Sequence, residues 1–179
     1  MDLDSSIIEK IKKIKLLILD VDGVLTDGKI IYPSFGLNHD VKEFDVKDGF
    51  GIKLLYRAGI PSVILSGRSS RTIRKRAKDM RILAIHENAY VKLDVYKNIL
   101  KEHNLKDSEV AFIGDDLVDI PVLKRVGFSA CTACSVSHVK ELVDYISKNE
   151  AGAGAVREIA EIILNAQGLW EKVTKRYFK

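Results

Sequence analysis

The stretch Lys15-Leu-Leu-Ile-Leu-Asp-Val-Asp-Gly-Val-Leu-Thr-Asp-Gly28 carries an apolar run straight into three aspartates and two glycines. Asp and Gly are ordinary turn residues and a strand must end somewhere, so one reading is a plain turn. The spacing argues for more. Asp20 and Asp22 stand two apart where the strand ends, which lets both project into one crevice. Carboxylates about 4 Å apart at an effective dielectric near 20 repel by roughly 4 kcal/mol. Such a cluster calls for a cation.

Composition frames that idea. The chain has 179 residues, 46% hydrophobic and 30% charged, which suits a single domain over 1–179 and makes two unexpected. No apolar run reaches the roughly 18 residues that span a bilayer, and the polar start Met1-Asp-Leu-Asp-Ser-Ser lacks the layout of a secretory signal. A cytoplasmic protein with no membrane partner is expected. The formal net charge of +4 is mild and compatible with an anionic small substrate. Cys131 and Cys134, with His138 nearby, offer three metal ligands where a structural zinc site needs four, so two reduced thiols are expected.

Hydrophobic periodicity alternates between strand and helix. Ile7, Ile8, Ile11 and Ile14 follow Asp4-Ser5-Ser6 at helical spacing, predicting a capped helix ahead of the strand Lys15–Leu19. Further buried strands are predicted at Ser62–Leu65, Ile82–Ile85, Val110–Ile113 and Phe128–Ala130. Helices are predicted at Asp48–Ala58, Ser69–Met80, Lys92–His103 and Leu117–Val126, the first and last closed by Gly59 and Gly127. The pattern implies an α/β fold, a Rossmann-like doubly wound parallel sheet with helices on both faces. Ligands of such folds sit at the carboxyl ends of the strands.

Those ends carry the chemistry. The first strand ends at Asp20 and Asp22, the second at Ser66-Gly67-Arg68, and the fourth at Gly114-Asp115-Asp116 followed by Asp119. Lys92 opens the helix after the third. Each alone has an ordinary explanation: Ser66 as a helix cap, Lys92 as a solvated lysine, Gly114-Asp115-Asp116 as a turn. Together they are the inventory for phosphoryl transfer with a divalent ion.

Asp20-Val-Asp22-Gly-Val-Leu-Thr26, Leu65-Ser66-Gly67, Lys92 and Gly114-Asp-Asp116 with Asp119 resemble the four ordered motifs of the haloacid dehalogenase superfamily of phosphatases. Phe44-Asp-Val-Lys-Asp-Gly-Phe-Gly51 and Gly152-Ala-Gly-Ala-Val-Arg-Glu158 narrow the resemblance to its cap-less tetrameric subfamily, which acts on 3-deoxy-D-manno-octulosonate 8-phosphate in lipopolysaccharide precursor synthesis. It spans about residues 13–168. The resemblance implies Asp20 as nucleophile through an aspartyl phosphate, and Asp22 as general acid and base. It implies Mg2+ held by Asp20, the Asp22 carbonyl and Asp115, with Ser66 and Lys92 on the phosphoryl group. Asp116 and Asp119 would orient water and the lysine, while Gly67, Arg68 and Arg157 would contact substrate.

The family's Gln-Gly pair before the lysine is replaced by Glu87-Asn88, and Asn tolerates a left-handed turn where Gly is usual. A sister group acting on a nine-carbon sugar-acid phosphate usually has Glu after the Ser/Thr-Gly pair. Arg68 stands there in this chain and matches the carboxylate of a 2-keto acid, favouring the eight-carbon substrate. The basic run from Arg68 to Lys78 has no interleaved aromatics, so no nucleic-acid partner is expected.

Residues 28–46 read as a small inserted β-hairpin, with strands Lys29–Tyr32 and Val41–Val46 and a Pro33–Gly36 turn between them, too short to enclose a substrate alone. The resemblance implies a homotetramer whose neighbouring subunits complete each site, with the tail 150–179 reaching across and Arg157 meeting the substrate. A signalling receiver is a competing class, but it needs an Asp after the third strand, where Ile85-His-Glu87 stands. A non-catalytic assembly module with an idle site is another.

Overall fold

The computed structural model describes residues 3–32 and 41–179. Among them, six parallel strands form one sheet: β1 (Leu16–Leu19), β2 (Ser62–Leu65), β3 (Ala84–His86), β4 (Val110–Ile113), β5 (Phe128–Cys131) and β6 (Tyr145–Ile146). Their order is β3-β2-β1-β4-β5-β6. The chain winds outward from β1 in one direction, returns to β4, and winds outward in the other. That reversal puts the switch point, and so the expected crevice, between β1 and β4 at their carboxyl ends.

All four residues of β1 are buried because both faces of the sheet are covered. Leu17 and Leu19 join one apolar cluster with Ile52, Leu55, Ile73, Ile159 and Ile163, from α2 (Val46–Ala58), α3 (Arg71–Met80) and α7 (Ala155–Ala166). Leu16 and Ile18 point the other way, to Tyr96 and Ile99 of α4 (Lys92–His103) and Val122 of α5 (Ile120–Leu123). Remaining helices are α1 (Ser5–Ile11), α6 (Ser137–Lys140) and α8 (Trp170–Thr174).

Several boundaries differ from the sequence reading for local reasons. α2 starts at Val46 because the Asp45 carboxylate accepts from the Lys47 and Asp48 amides. The strand expected up to Val46 therefore does not form, and the described part of the insert shows a single antiparallel bridge, Ile31 to Val41. The expected turn at Pro33–Gly36 lies outside the described residues. Phe44 packs against the larger core with the Arg76 guanidinium 5.7 Å from its ring, whereas Ile31 stays half-exposed. The helix expected over Leu117–Val126 is broken into a 3₁₀ turn, Leu117–Asp119, and the short α5. Pro121 has no N–H to give the Leu117 carbonyl, and the Asp119 side chain is turned elsewhere.

The stretch Glu150–Glu158 looks like a linker and is none. Gly152 donates to the Val24 carbonyl at 3.2 Å, and its Cα is so close to the β1 loop that a Cβ would meet the Asp27 nitrogen at 3.0 Å. Asp48 of α2, buried, accepts from the Gly154 and Arg157 amides at 3.3 and 2.8 Å and so caps α7. Glu158 then ties α7 to β6, accepting from Tyr145 Oη at 2.6 Å, Ser147 Oγ at 2.5 Å and the Lys148 amide. Burial alone would push the Glu158 carboxyl up; these bonds outweigh it and hold the carboxyl below its ordinary value. A depressed carboxyl adds stability above its unfolded pKa and loses it as pH falls through the folded one. Glu158→Gln is therefore expected to lower Tm at pH 7, with the gap to wild type closing below about pH 4. A gap of constant size in thermal melts across that range would show that the carboxylate's charge is not involved.

Candidate active site

The β1 loop is drawn tight by three amides, Val24, Leu25 and Thr26, converging on the Val21 carbonyl. Gly23 turns left-handed there, φ 84°, and a Cβ on it would sit 2.0 Å from an Asp115 carboxylate oxygen. Only glycine lets the β1 and β4 loops approach this closely. Asp20 is consequently buried at the floor of an open crevice of about 790 Å3, lined also by Asp22, Ser66, Gly67, Arg68, Lys92, Asp115 and Asp116.

Lys92 is the hub. It is the first residue of α4 and is buried, with Nζ 2.6 Å from Asp20 Oδ2 and 2.6 Å from Asp119 Oδ1. Burial pulls its pKa down, but the two carboxylates outweigh that and raise it, so the ammonium stays charged. Asp119 is fully used: its Oδ2 accepts from the Asp115 and Asp116 amides at 3.0 and 3.2 Å. A Cβ at Gly114 would collide with this carboxylate at 2.6 Å, which fixes glycine there too. Asp119, not Asp116, therefore orients the lysine. Asp116 caps the 3₁₀ turn through the Leu117 amide and is open to the crevice.

Ser66 escapes the capping role, because Ser70 caps α3 by accepting from the Thr72 and Ile73 amides. The Ser66 hydroxyl oxygen accepts from the Arg68 amide at 3.2 Å, which leaves its proton for a ligand. Asn88 takes the left-handed conformation, φ 56°, and the Ala89 amide donates to the Ser66 carbonyl at 3.0 Å, so the altered loop still joins the β2 and β3 ends. Arg68 is half-exposed, its Nε 3.7 Å from Asp22 Oδ2.

Arg157 does not line its own chain's crevice; its expected place is at a neighbouring subunit's site. Its guanidinium pairs with Glu161 and lies over Phe50 and Trp170, because Asp48 anchors the start of α7 in its own chain. Conversely, Lys42 was not legible as a site residue. Its side chain is 1% exposed and its Nζ pairs with Asp22 Oδ1. No local pattern marks that contact, since it joins positions 20 apart across the insert.

The acidic cluster fits a hard divalent cation. Oxygens of Asp20, Asp115 and Asp119 lie within 4.8 Å of one another, the only such His/Cys/Asp/Glu group among the described residues. With Asp119 committed, Asp20 and Asp115 are the side chains with capacity to spare. Burial pushes the Asp115 carboxyl up to about 7, helped by Asp119 and Asp20, and it accepts no hydrogen bond among the described residues. Burial likewise pushes Asp20 up to about 6, against the pull of Lys92. A divalent cation would favour the charged form of both carboxyls, and all-oxygen donors suit magnesium. The Asp22 carbonyl is on the same loop, whose tightening bonds end on Val21 instead. Cys131 and Cys134 are free thiols outside this cluster.

Comparison with known proteins agrees with this geometry. Residues 79–159 match the haloacid dehalogenase-like hydrolase family. The 3-deoxy-D-manno-octulosonate 8-phosphate phosphatase of Haemophilus influenzae is 39% identical over 89% of this chain and 88% of its own. A probable YrbI family phosphatase of Pseudomonas syringae superposes with a TM-score of 0.94 at 38% identity, covering 98% of this chain and 99% of that one. The 3-deoxy-D-manno-octulosonate 8-phosphate phosphatase of Moraxella catarrhalis, solved with magnesium, phosphate and KDO, gives 0.92 at 37% identity over 96% and 97%. With the Asp20 loop, buried lysine and acidic cluster all at strand ends, the chain belongs to the haloacid dehalogenase-like hydrolases, in the family of 3-deoxy-D-manno-octulosonate 8-phosphate phosphatases.

Proposed function

We propose that this protein hydrolyses 3-deoxy-D-manno-octulosonate 8-phosphate to the free sugar acid and phosphate, with Mg2+, as a step in lipopolysaccharide precursor synthesis in the cytoplasm. The observation that carries the reading is one crevice holding Asp20, Lys92 on Asp119, the uncompensated Asp115 and the available Ser66 proton. Asp20 attacks phosphorus; the Val21 amide on Oδ1 and Lys92 on Oδ2 hold its carboxylate plane. Asp22 protonates the departing sugar oxygen and then takes a proton from the water that cleaves the aspartyl phosphate. Ser66 and Lys92 hold phosphoryl oxygens, and Arg68 faces the substrate carboxylate. Asp20 and Asp115, with the Asp22 carbonyl, would hold the ion. When bound it offsets the carboxylate repulsion and polarises the phosphoryl group.

A homotetramer is part of this reading. Tyr90 is 80% exposed and Val118 56% at the crevice rim, an apolar margin that a neighbouring subunit would cover. No helix among the described residues is long and apolar enough to cross a membrane.

The test is phosphate release from the eight-carbon sugar-acid phosphate, its nine-carbon counterpart and a plain aryl phosphate, each with Mg2+ and after exhaustive chelation. The eight-carbon ester should have the highest kcat/KM, and chelation should remove turnover of all three. Preference for the nine-carbon ester would reassign the substrate. Turnover that survives chelation would refute the metal role.

A further inference from the structure

We infer that Lys42 is a positioning residue that holds the Asp22 carboxyl in its proton-transfer orientation, an inference resting on Asp22 as the proton donor proposed above. Burying an ammonium costs several kcal/mol unless a partner compensates, so a lysine with a 1% exposed side chain is held there by a specific contact. Asp22 Oδ1 is such a contact among the described residues. Neighbouring residues keep Lys42 in place. Val41 bridges to Ile31 on one side, and on the other Phe44 packs on the core while Asp45 caps α2.

The geometry divides the work of the two carboxyl oxygens. Oδ1 is occupied by Lys42, so Oδ2 is the oxygen that carries the proton. It lies on the side of Arg68, which lines the crevice with Asp22. Arg68 cannot do the same job: its Nε is 3.7 Å away and its side chain is 57% exposed, a distance and exposure at which an ion pair is weak. In the first step the Asp20–phosphorus bond forms, the phosphorus–oxygen bond to the sugar breaks, and the Oδ2 proton passes to that oxygen. In the second, Oδ2 takes the proton of the attacking water as the Asp20–phosphorus bond breaks. Both transfers need the same orientation of the carboxyl.

Leaving-group dependence tests this. An alkyl phosphate such as a sugar phosphate expels an alkoxide that must be protonated, whereas 4-nitrophenyl phosphate expels a stable phenolate that need not be. In Lys42→Met, kcat/KM is expected to fall about 100-fold for the alkyl ester and about threefold for the aryl ester, the cost of a misplaced catalytic group. Lys42→Arg should recover most of the ratio between esters. Because the ratio is taken on one folded sample, loss of active protein cancels from it. Equal falls on the two esters, or no recovery in Lys42→Arg, would overturn the inference. Asp22→Asn separates the donor from the residue that positions it. If it also loses both esters equally, the proton-donor assignment fails and the Lys42 role with it; if it discriminates and Lys42→Met does not, only Lys42 is reassigned.

Discussion

Asp20→Asn is expected to release no measurable phosphate, a fall of about 10⁴-fold or more, from a protein that still folds. An amide cannot form the acyl phosphate link, so no other group in the crevice can take over the step. Folding should survive because Lys92 keeps Asp119 at 2.6 Å when its second partner loses charge. Removing charge here also removes a carboxyl that burial has pushed up to about 6. An acid with a raised folded pKa loses stability as pH rises from its unfolded value to its folded one, so the variant should lose less stability than wild type between about pH 4 and 6 in chelated buffer. Phosphate release by coupled assay and melting curves by circular dichroism check both halves. Turnover within tenfold of wild type would displace Asp20 as the nucleophile.

Ending the chain after Asn149 is expected to abolish cooperative folding. The truncation removes α7, whose Val156, Ile159, Ile162, Ile163 and Leu164 are buried against the sheet and α2. At roughly 2 kcal/mol for each such side chain, the loss is on the order of 10 kcal/mol, comparable to the whole stability of a typical domain. It also strands the Asp48 carboxylate, which would lose both amides it accepts from. A chain ending at Gly168 keeps α7 and loses only the short α8 and the 3₁₀ turn Lys175–Tyr177 with its flanking residues, where Val173 and Thr174 are the buried side chains. It should melt cooperatively at a lower temperature. A sharp melt from the 149-residue chain would show that α7 is dispensable to the core.

Much of this architecture is legible in the chain. The alternation of short apolar runs with amphipathic segments predicts β1 to β5 and the parallel fold, because a strand covered on both faces must be apolar throughout. β6 escapes notice, since two residues carry no periodicity. The helix after Gly114-Asp115-Asp116 is misread because Asp119 bends back to accept two amides, a demand that comes from Lys92, 27 positions away. Glu150–Glu158 is ambiguous in sequence because glycine and alanine look alike in a loose linker and in a close backbone contact. Only the approach of Gly152 to Thr26 and Asp27 tells them apart.

By itself the sequence determined the sheet, the strand ends, and which residues stand at them, since hydrophobic period and turn chemistry are local properties of the chain. It placed Asp20, Asp22, Ser66, Lys92 and Asp115 at one edge, and that edge is where they meet. Tertiary structure alone decided how their charges are shared. Lys92 spends its ammonium on Asp20 and Asp119, Asp115 finds no hydrogen-bond donor among the described residues, Lys42 comes back across the insert to Asp22, and Arg157 pairs with Glu161. Charge pairing depends on distance through space and on burial, and neither can be read from spacing along the chain.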